Sequence, residues 1–230
     1  MLHGFTSNPS AMRGVAEAFA ASGFHVELPL LPGHGTAIDD MLDTDWADWC
    51  GEAEAAYGRL AERAELRVVV GLSMGGALAL RLGLDHPGVA GIVAINPVAQ
   101  PQPDDVIAML DGMVAGGMEV MDGIGGDIAD PEAGESSYAG TPLRALRSLL
   151  VDGVAASADR YASAQVPVLL LNSPNDHVVD PEQAEFLAAT WGAPVERITL
   201  ERSFHVATLD YDKDLIEESA VAFAHRVMAR

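Results

Sequence analysis

The sequence predicts an α/β fold: a mostly parallel central sheet flanked by helices, with a small cap inserted over one end. Three observations predict it. Short runs rich in Val, Ile and Leu alternate with longer helix-like segments. Those runs are nearly continuous in apolar residues, the pattern of strands covered on both faces. A length of 230 residues, 49% hydrophobic and 20% charged, suits one domain with a sizeable core. Residues 1–230 are therefore read as one domain, with residues 100–160 as an insertion within it.

The elements follow in order. Asn8-Pro9 pairs a helix cap with Pro at the first helical position, and Met12, Val15, Phe19 and Ala20 keep helical spacing until Gly23. Residues 24–28 read as a strand. Asp45 caps a helix over 46–64. The run LRVVV at 66–70 is a strand, and 74–84 is a helix that stops near Pro87. Strands are expected at 89–95, 166–171 and 195–200, and helices at 181–191 and 213–228. Residues 101–140 break this rhythm: they hold nine acidic residues, no Lys, Arg or His, and four of the nine methionines. Gly112, Gly116, Gly117, Gly123, Gly125 and Gly126 predict a loose segment there.

Charge and cysteine content exclude several functions. With 13 Lys+Arg against 34 Asp+Glu, the formal net charge is −21. Phosphate binding needs clustered basic side chains, so nucleic acid is not an expected partner, nor is anionic lipid. The single cysteine, Cys50, allows no intrachain disulfide and no Cys-based metal site. Val68 to Leu80 is apolar but too short and too interrupted by glycine to span a membrane. The first residues lack the charged and apolar regions of a signal peptide, so a cytoplasmic location is expected. The acidic run Asp39, Asp40, Asp43 and Asp45 does not have the spacing of a calcium loop, and no metal or organic cofactor is expected.

The chemistry concentrates in one motif. Gly71-Leu72-Ser73-Met74-Gly75 lies directly between a strand and a helix. A serine on such a tight turn is lifted out of the strand end, and glycines two residues either side let the turn close. The competing reading is an ordinary glycine-rich turn or a phosphate loop, but the Lys of a P-loop is missing. A serine nucleophile needs a base in a loop at the carboxyl ends of the strands. Among seven histidines, His205 stands there, after the last strand. His86 and His225 fall on helices and read as surface or packing residues; His3 and His34 fall in loops at the same end and read as shaping the site. The acid that orients the base is Asp176, after the strand at 166–171; Asp180 competes but precedes Pro181 and reads as a helix cap. Two backbone N–H groups, of Phe5 and Met74, are expected to hold an oxyanion.

Five segments together carry a resemblance: His3-Gly4-Phe5-Thr6, Leu31-Pro32-Gly33-His34-Gly35-Thr36, Gly71-Leu72-Ser73-Met74-Gly75-Gly76, Asn175-Asp176-His177-Val178-Val179 and Ser203-Phe204-His205-Val206-Ala207-Thr208-Leu209-Asp210. The chain resembles the bacterial monoacylglycerol lipases and related carboxylesterases of the α/β-hydrolase fold, over nearly its whole length. The resemblance implies Ser73, Asp176 and His205 as the triad, Phe5 and Met74 as oxyanion donors, and a cap at 100–160. It also implies that Glu135 and Tyr138 face the glycerol part of a substrate. Met109 and Met113, with Val106, Ile107, Leu110 and Val114, then supply either an adaptable surface for an acyl chain or simple packing of cap on body. The cap acids read as a solvated face, or as a charge that hastens fatty-acid release.

The expected activity is therefore serine hydrolysis of carboxylic esters, with monoacylglycerols first. A short-chain carboxylesterase and an inactive or non-catalytic relative are the alternatives. In the family's fold the early HG motif follows an inner strand, whereas only Met1 and Leu2 precede His3. That departure carries the expectation that the first strands are missing and the chain is a fragment or starts late.

Overall fold

The computed structural model describes residues 1–229. Four strands form one parallel sheet: β1 (Arg67–Leu72), β2 (Val89–Ile95), β5 (Val168–Asn172) and β6 (Val195–Thr199), side by side in that order. Their register aligns Gly71 with Ala94, Ala94 with Leu170, and Leu170 with Arg197. The carboxyl ends of the strands are thereby level, and the residues just beyond them meet along one edge.

The sheet divides the core in two. Ile92, Ala94, Val168 and Leu170 point to one side; Val93, Ile95, Leu169 and Leu171 point to the other. This period of two with both faces apolar explains why the strands read as continuous hydrophobic runs. On one face lie α2 (Trp46–Ala61) and α3 (Met74–Asp85), with Trp49 and Leu78 buried between them and the sheet. On the other lie α1 (Arg13–Ala21) and α8 (Lys213–Met228), which bring Phe19, Ile216 and Phe223 into the core. β6 closes one side of the sheet with exposed Glu196 and Arg197, charges that discourage further pairing. At β1, Leu2 alone forms a parallel bridge to Gly71.

Local signals fixed the helix starts. Asp45 accepts from Ala47 N and Asp48 N while the Asp48 side chain returns to the Asp45 N–H, a complete capping box. Asn8 caps as expected, but the turn it opens, Pro9–Met12, is a 3₁₀ helix that leads into α1. The helix after Asp45 ends at Ala61, three residues before the expected boundary.

One expected strand does not form. Residues 24–28 run unpaired, because a strand exists only through a neighbouring ladder. The segment is held instead by isolated contacts: the Met1 N-terminus donates to Glu27 O at 2.6 Å, Phe24 N donates to Phe19 O, and Arg59 pairs with the Glu27 carboxylate.

The insertion is more ordered than its composition suggested. It contains α4 (Asp104–Ala115), an antiparallel pair of β3 (Val120–Asp122) with β4 (Gly140–Pro142), and α5 (Leu143–Ser148). A π-helical stretch, Leu149–Ala155, and the short α6 (Ala156–Ala158) return the chain to the body, and α7 (Glu182–Thr190) follows β5. Gly112 lies inside α4, and Gly116 ends it. Among the described residues, no helix is long and apolar enough to cross a membrane.

Candidate active site

Ser73 sits at the turn between β1 and α3 with φ 56° and ψ −118°, a conformation that costs a side-chain-bearing residue on the order of 1–3 kcal/mol. The surroundings enforce it. A Cβ at Gly71 would collide with the Gly75 carbonyl, and one at Gly75 would collide with that of Leu2. Both glycines are therefore required by close backbone approach. The Ser73 N–H donates to Ile95 O at 3.0 Å, while its carbonyl accepts from Gly76, Ala77 and Val98. The backbone is pinned on both sides and the hydroxyl is left facing a cavity.

That cavity is small, about 20 Å³, with room for roughly one water. Ser73, His205, Gly4, Phe5, Ile124 and Glu135 are among its walls. His205 follows β6, and its Nδ1 lies 2.7 Å from Asp176 Oδ2. Both side chains are buried, at 8% and 2% exposure. The other oxygen of Asp176 accepts from Val178 N and Val179 N, each at 2.8 Å, so the carboxylate is fixed at both ends. Asp180, the competing acid, instead accepts from Glu182 N at 2.9 Å at the start of α7. The structure thus brings Ser73, Asp176 and His205 to one end of the sheet, in loops after β1, β5 and β6.

Phe5 and Met74 are buried beside Ser73. Among the described residues, neither their N–H groups nor any neighbouring acceptor forms a hydrogen bond that would occupy those donors. Buried unpaired N–H groups are rare, and here both adjoin the serine. Thr6, next to Phe5, has φ 61°, and Asn96, after β2, has φ 41°. Strained residues therefore gather at this end of the sheet.

Four of the other histidines fall into two groups. His86 pairs with Glu54 at 2.7 Å and stacks on Tyr57; His225 packs on Phe24. His3 and His34 are buried beneath the Phe5 loop. His3 Nε2 accepts from Leu31 N, and its ring meets that of His34 edge-on. Burial pushes His3 down to about 3 and His34 down to about 4, so both are neutral at ordinary pH.

The expected substrate-facing residues separate. Glu135 lines the cavity and is held by Ser7 Oγ at 2.5 Å and Gly126 N at 2.9 Å. Tyr138 turns its hydroxyl to the loop at 33–36, donating to Gly33 O at 2.8 Å and accepting from Thr36 N at 3.1 Å. Met109 is exposed on α4 and Met113 is half-buried against the core; neither lines the Ser73 cavity. A larger apolar hollow of about 310 Å³ lies far from the serine, beside Met1, Phe24, Leu60 and Val68, and carries no nucleophile–base pair.

Three residues to which sequence reasoning assigned no role hold the site together. Asn96 bonds to Ser173 and to the Phe204 and His205 carbonyls. Asp210, fully buried, accepts from the N–H groups of Ala129, Asp130, Phe204 and Tyr211. Asp127 reaches from the cap to His177 and His205. Burial alone would raise the Asp127 carboxyl, but bonds from His177 and the His205 N–H hold it below the usual range. Asp210 closes the 203–210 segment that carries the resemblance, while Asn96 and Asp127 offered only a polar residue near the active end of the sheet.

Comparison with known proteins agrees with this geometry. A family described as the alpha/beta hydrolase family matches residues 1–218. A thermostable monoacylglycerol lipase from Bacillus sp. (strain H-257) is 40% identical over 228 residues, covering 97% of this chain and 88% of that protein. A carboxylesterase from Bacillus subtilis (strain 168) is 26% identical, covering 99% and 92%. A solved structure from work on two metagenome-derived lipolytic enzymes, LipS and LipT, superposes with a TM-score of 0.91 at 37% identity, covering 98% and 91%.

Proposed function

This chain belongs to the alpha/beta hydrolase family and is a carboxylic ester hydrolase; from that premise we propose that it cleaves monoacylglycerols to fatty acid and glycerol through an acyl-enzyme on Ser73. The observation that carries the mechanism is the 2.7 Å pair of His205 Nδ1 with buried Asp176, with His205 and strained Ser73 on one cavity wall. The substrate class is supported by the 40% identity to a monoacylglycerol lipase over nearly the whole chain. Glu135 supports it further: a carboxylate on the cavity wall offers acceptors to glycerol hydroxyls.

In this reading His205 Nε2 takes the Ser73 proton as Oγ attacks the ester carbonyl. Asp176 holds the Nδ1–H tautomer and stabilises the imidazolium. The carbonyl oxygen, now negative, accepts from the Phe5 and Met74 N–H groups, each such donor being worth on the order of 10²–10³ in rate. Glycerol departs with the proton returned by His205. Water, deprotonated by the same ring, then cleaves the acyl-enzyme and releases the fatty acid. The protonation steps need no group beyond these side chains and water.

A fluorophosphonate probe tests the nucleophile. Labelling of the wild type that is lost in Ser73→Ala supports the reading, and folded wild-type protein that takes no label overturns it. A second reading, a short-chain carboxylesterase, is favoured by the tightness of the 20 Å³ cavity. Rates on monoacylglycerols of increasing chain length, against 4-nitrophenyl acetate and butyrate, separate the two.

A further inference from the structure

We infer that Asp127 is a positioning residue for the proposed triad: its carboxylate sets the spacing of the acid and base loops, so that seating the cap and aligning Asp176 with His205 are one event. The inference rests on the reading of Ser73, Asp176 and His205 as the triad.

Asp176 and His205 stand on different loops, after β5 and β6, and the strands beneath them fix only where those loops start. A third segment bridges them from the cap. One oxygen of Asp127, Oδ2, accepts from His177 N at 3.0 Å and from His205 N at 3.1 Å. Those are the backbone N–H of the residue after the acid and the backbone N–H of the base itself. A single atom therefore measures the gap across which the 2.7 Å Asp176–His205 bond is made. Oδ1 lies 2.9 Å from the His177 ring, which is 62% exposed and packs edge-on against Phe204 with centroids 4.6 Å apart. The Asp127 carbonyl accepts from Val206 N at 3.0 Å, so the base is gripped on both sides.

Asp127 touches neither the cavity nor the Ser73 hydroxyl, yet its neighbours do. Ile124 and Gly125, three and two residues earlier, form part of the cavity wall. Gly126 N donates to Glu135, another wall residue. With this segment over the serine, Asp127 stands between the two loops. A positional error of about 1 Å in a reacting group costs on the order of 10²-fold in rate, so a spacer of this kind matters to turnover without contacting substrate.

The test uses the whole chain and two substitutions. In Asp127→Asn, the amide oxygen still accepts from both backbone N–H groups and the NH₂ turns to the His177 ring. In Asp127→Ala, both acceptors are gone. The expected result is a 10- to 100-fold fall in kcat for Asp127→Ala, with KM within about 3-fold of wild type, and recovery to within 5-fold in Asp127→Asn. The downfield proton signal of His205 Nδ1–H, identified by its loss in Asp176→Asn, is expected to vanish in Asp127→Ala and persist in Asp127→Asn. Unchanged kcat and signal in Asp127→Ala overturn the proposal. So does a loss carried mainly by KM, or an Asn variant as impaired as the Ala variant. The proton signal reports the Asp176–His205 bond whether or not Ser73 is the nucleophile. Failure of the triad reading, seen as turnover that survives Ser73→Ala, is thereby distinguished from failure of the spacer.

Discussion

The side-chain amide of Asn96 donates to the backbone carbonyl of His205 at 2.8 Å, across 109 residues of chain. Asn96 follows β2 with φ 41° and is buried, and its oxygen accepts from Ser173 N at 2.8 Å. One side chain thus ties the centre of the sheet to the loops after β5 and β6.

Replacing it tests that tie. Asn96→Ala strands the Ser173 N–H and the His205 carbonyl and keeps the backbone strain, so a loss of about 2–4 kcal/mol is expected. Asn96→Gly relieves the strain but not the lost bonds, and a smaller loss separates the two contributions. Urea unfolding midpoints measure both.

Asp210 performs the same task between cap and body. Its two oxygens receive four backbone N–H groups, two from the cap and two from residues 204–211. In Asp210→Asn an NH₂ faces donors where an oxygen stood, and about 2–4 kcal/mol is expected to be lost. The cap base then loosens, so limited proteolysis is expected to cut within residues 123–139 in the variant first.

The identity of the acid is decided by two conservative variants. Asp176→Asn leaves the shape but presents the wrong group to His205 Nδ1, and a fall of about 10⁴-fold in kcat is expected. Asp180→Asn retains an acceptor for Glu182 N and is expected to stay within 2-fold of wild type. Steady-state kinetics on one monoacylglycerol check both.

Acid sensitivity follows from His3 and His34. Their values in the folded chain, about 3 and about 4, lie below the ordinary 6.5, so between these limits the unfolded chain binds more protons. Stability is therefore full above about 6.5 and falls as pH drops toward 4. A lower urea midpoint at pH 5.5 than at pH 7.5 is expected, with a shallower dependence in His34→Gln. Equal midpoints at the two pH values in the wild type contradict it.

Much of this protein was legible because it depends on near neighbours. The capping box at Asp45 spans four residues, and the strained turn at Ser73 needs only glycines two positions away. The strands β1, β2 and β5 announced themselves because burial on both faces demands unbroken apolar runs. Chain order and strand ends were enough to nominate Ser73, Asp176 and His205, since loops at the carboxyl ends of parallel strands converge.

Other features belong to the assembled molecule. Residues 24–28 have strand-like composition but no ladder beside them, and pairing is a property of two segments, not one. The order within the glycine-rich cap came from its contacts with the body, including the bond of Asp127 to His205 N and those of Ala129 N and Asp130 N to Asp210. Those bonds join residues 78, 81 and 80 positions apart in sequence, and no local pattern says which backbone groups such an Asp will meet. The sequence by itself determined the layers, the helix starts and the chemical groups at the site. Only the tertiary structure decided which polar side chains hold those groups in place, because a buried hydrogen bond is chosen by what folding leaves unpaired nearby.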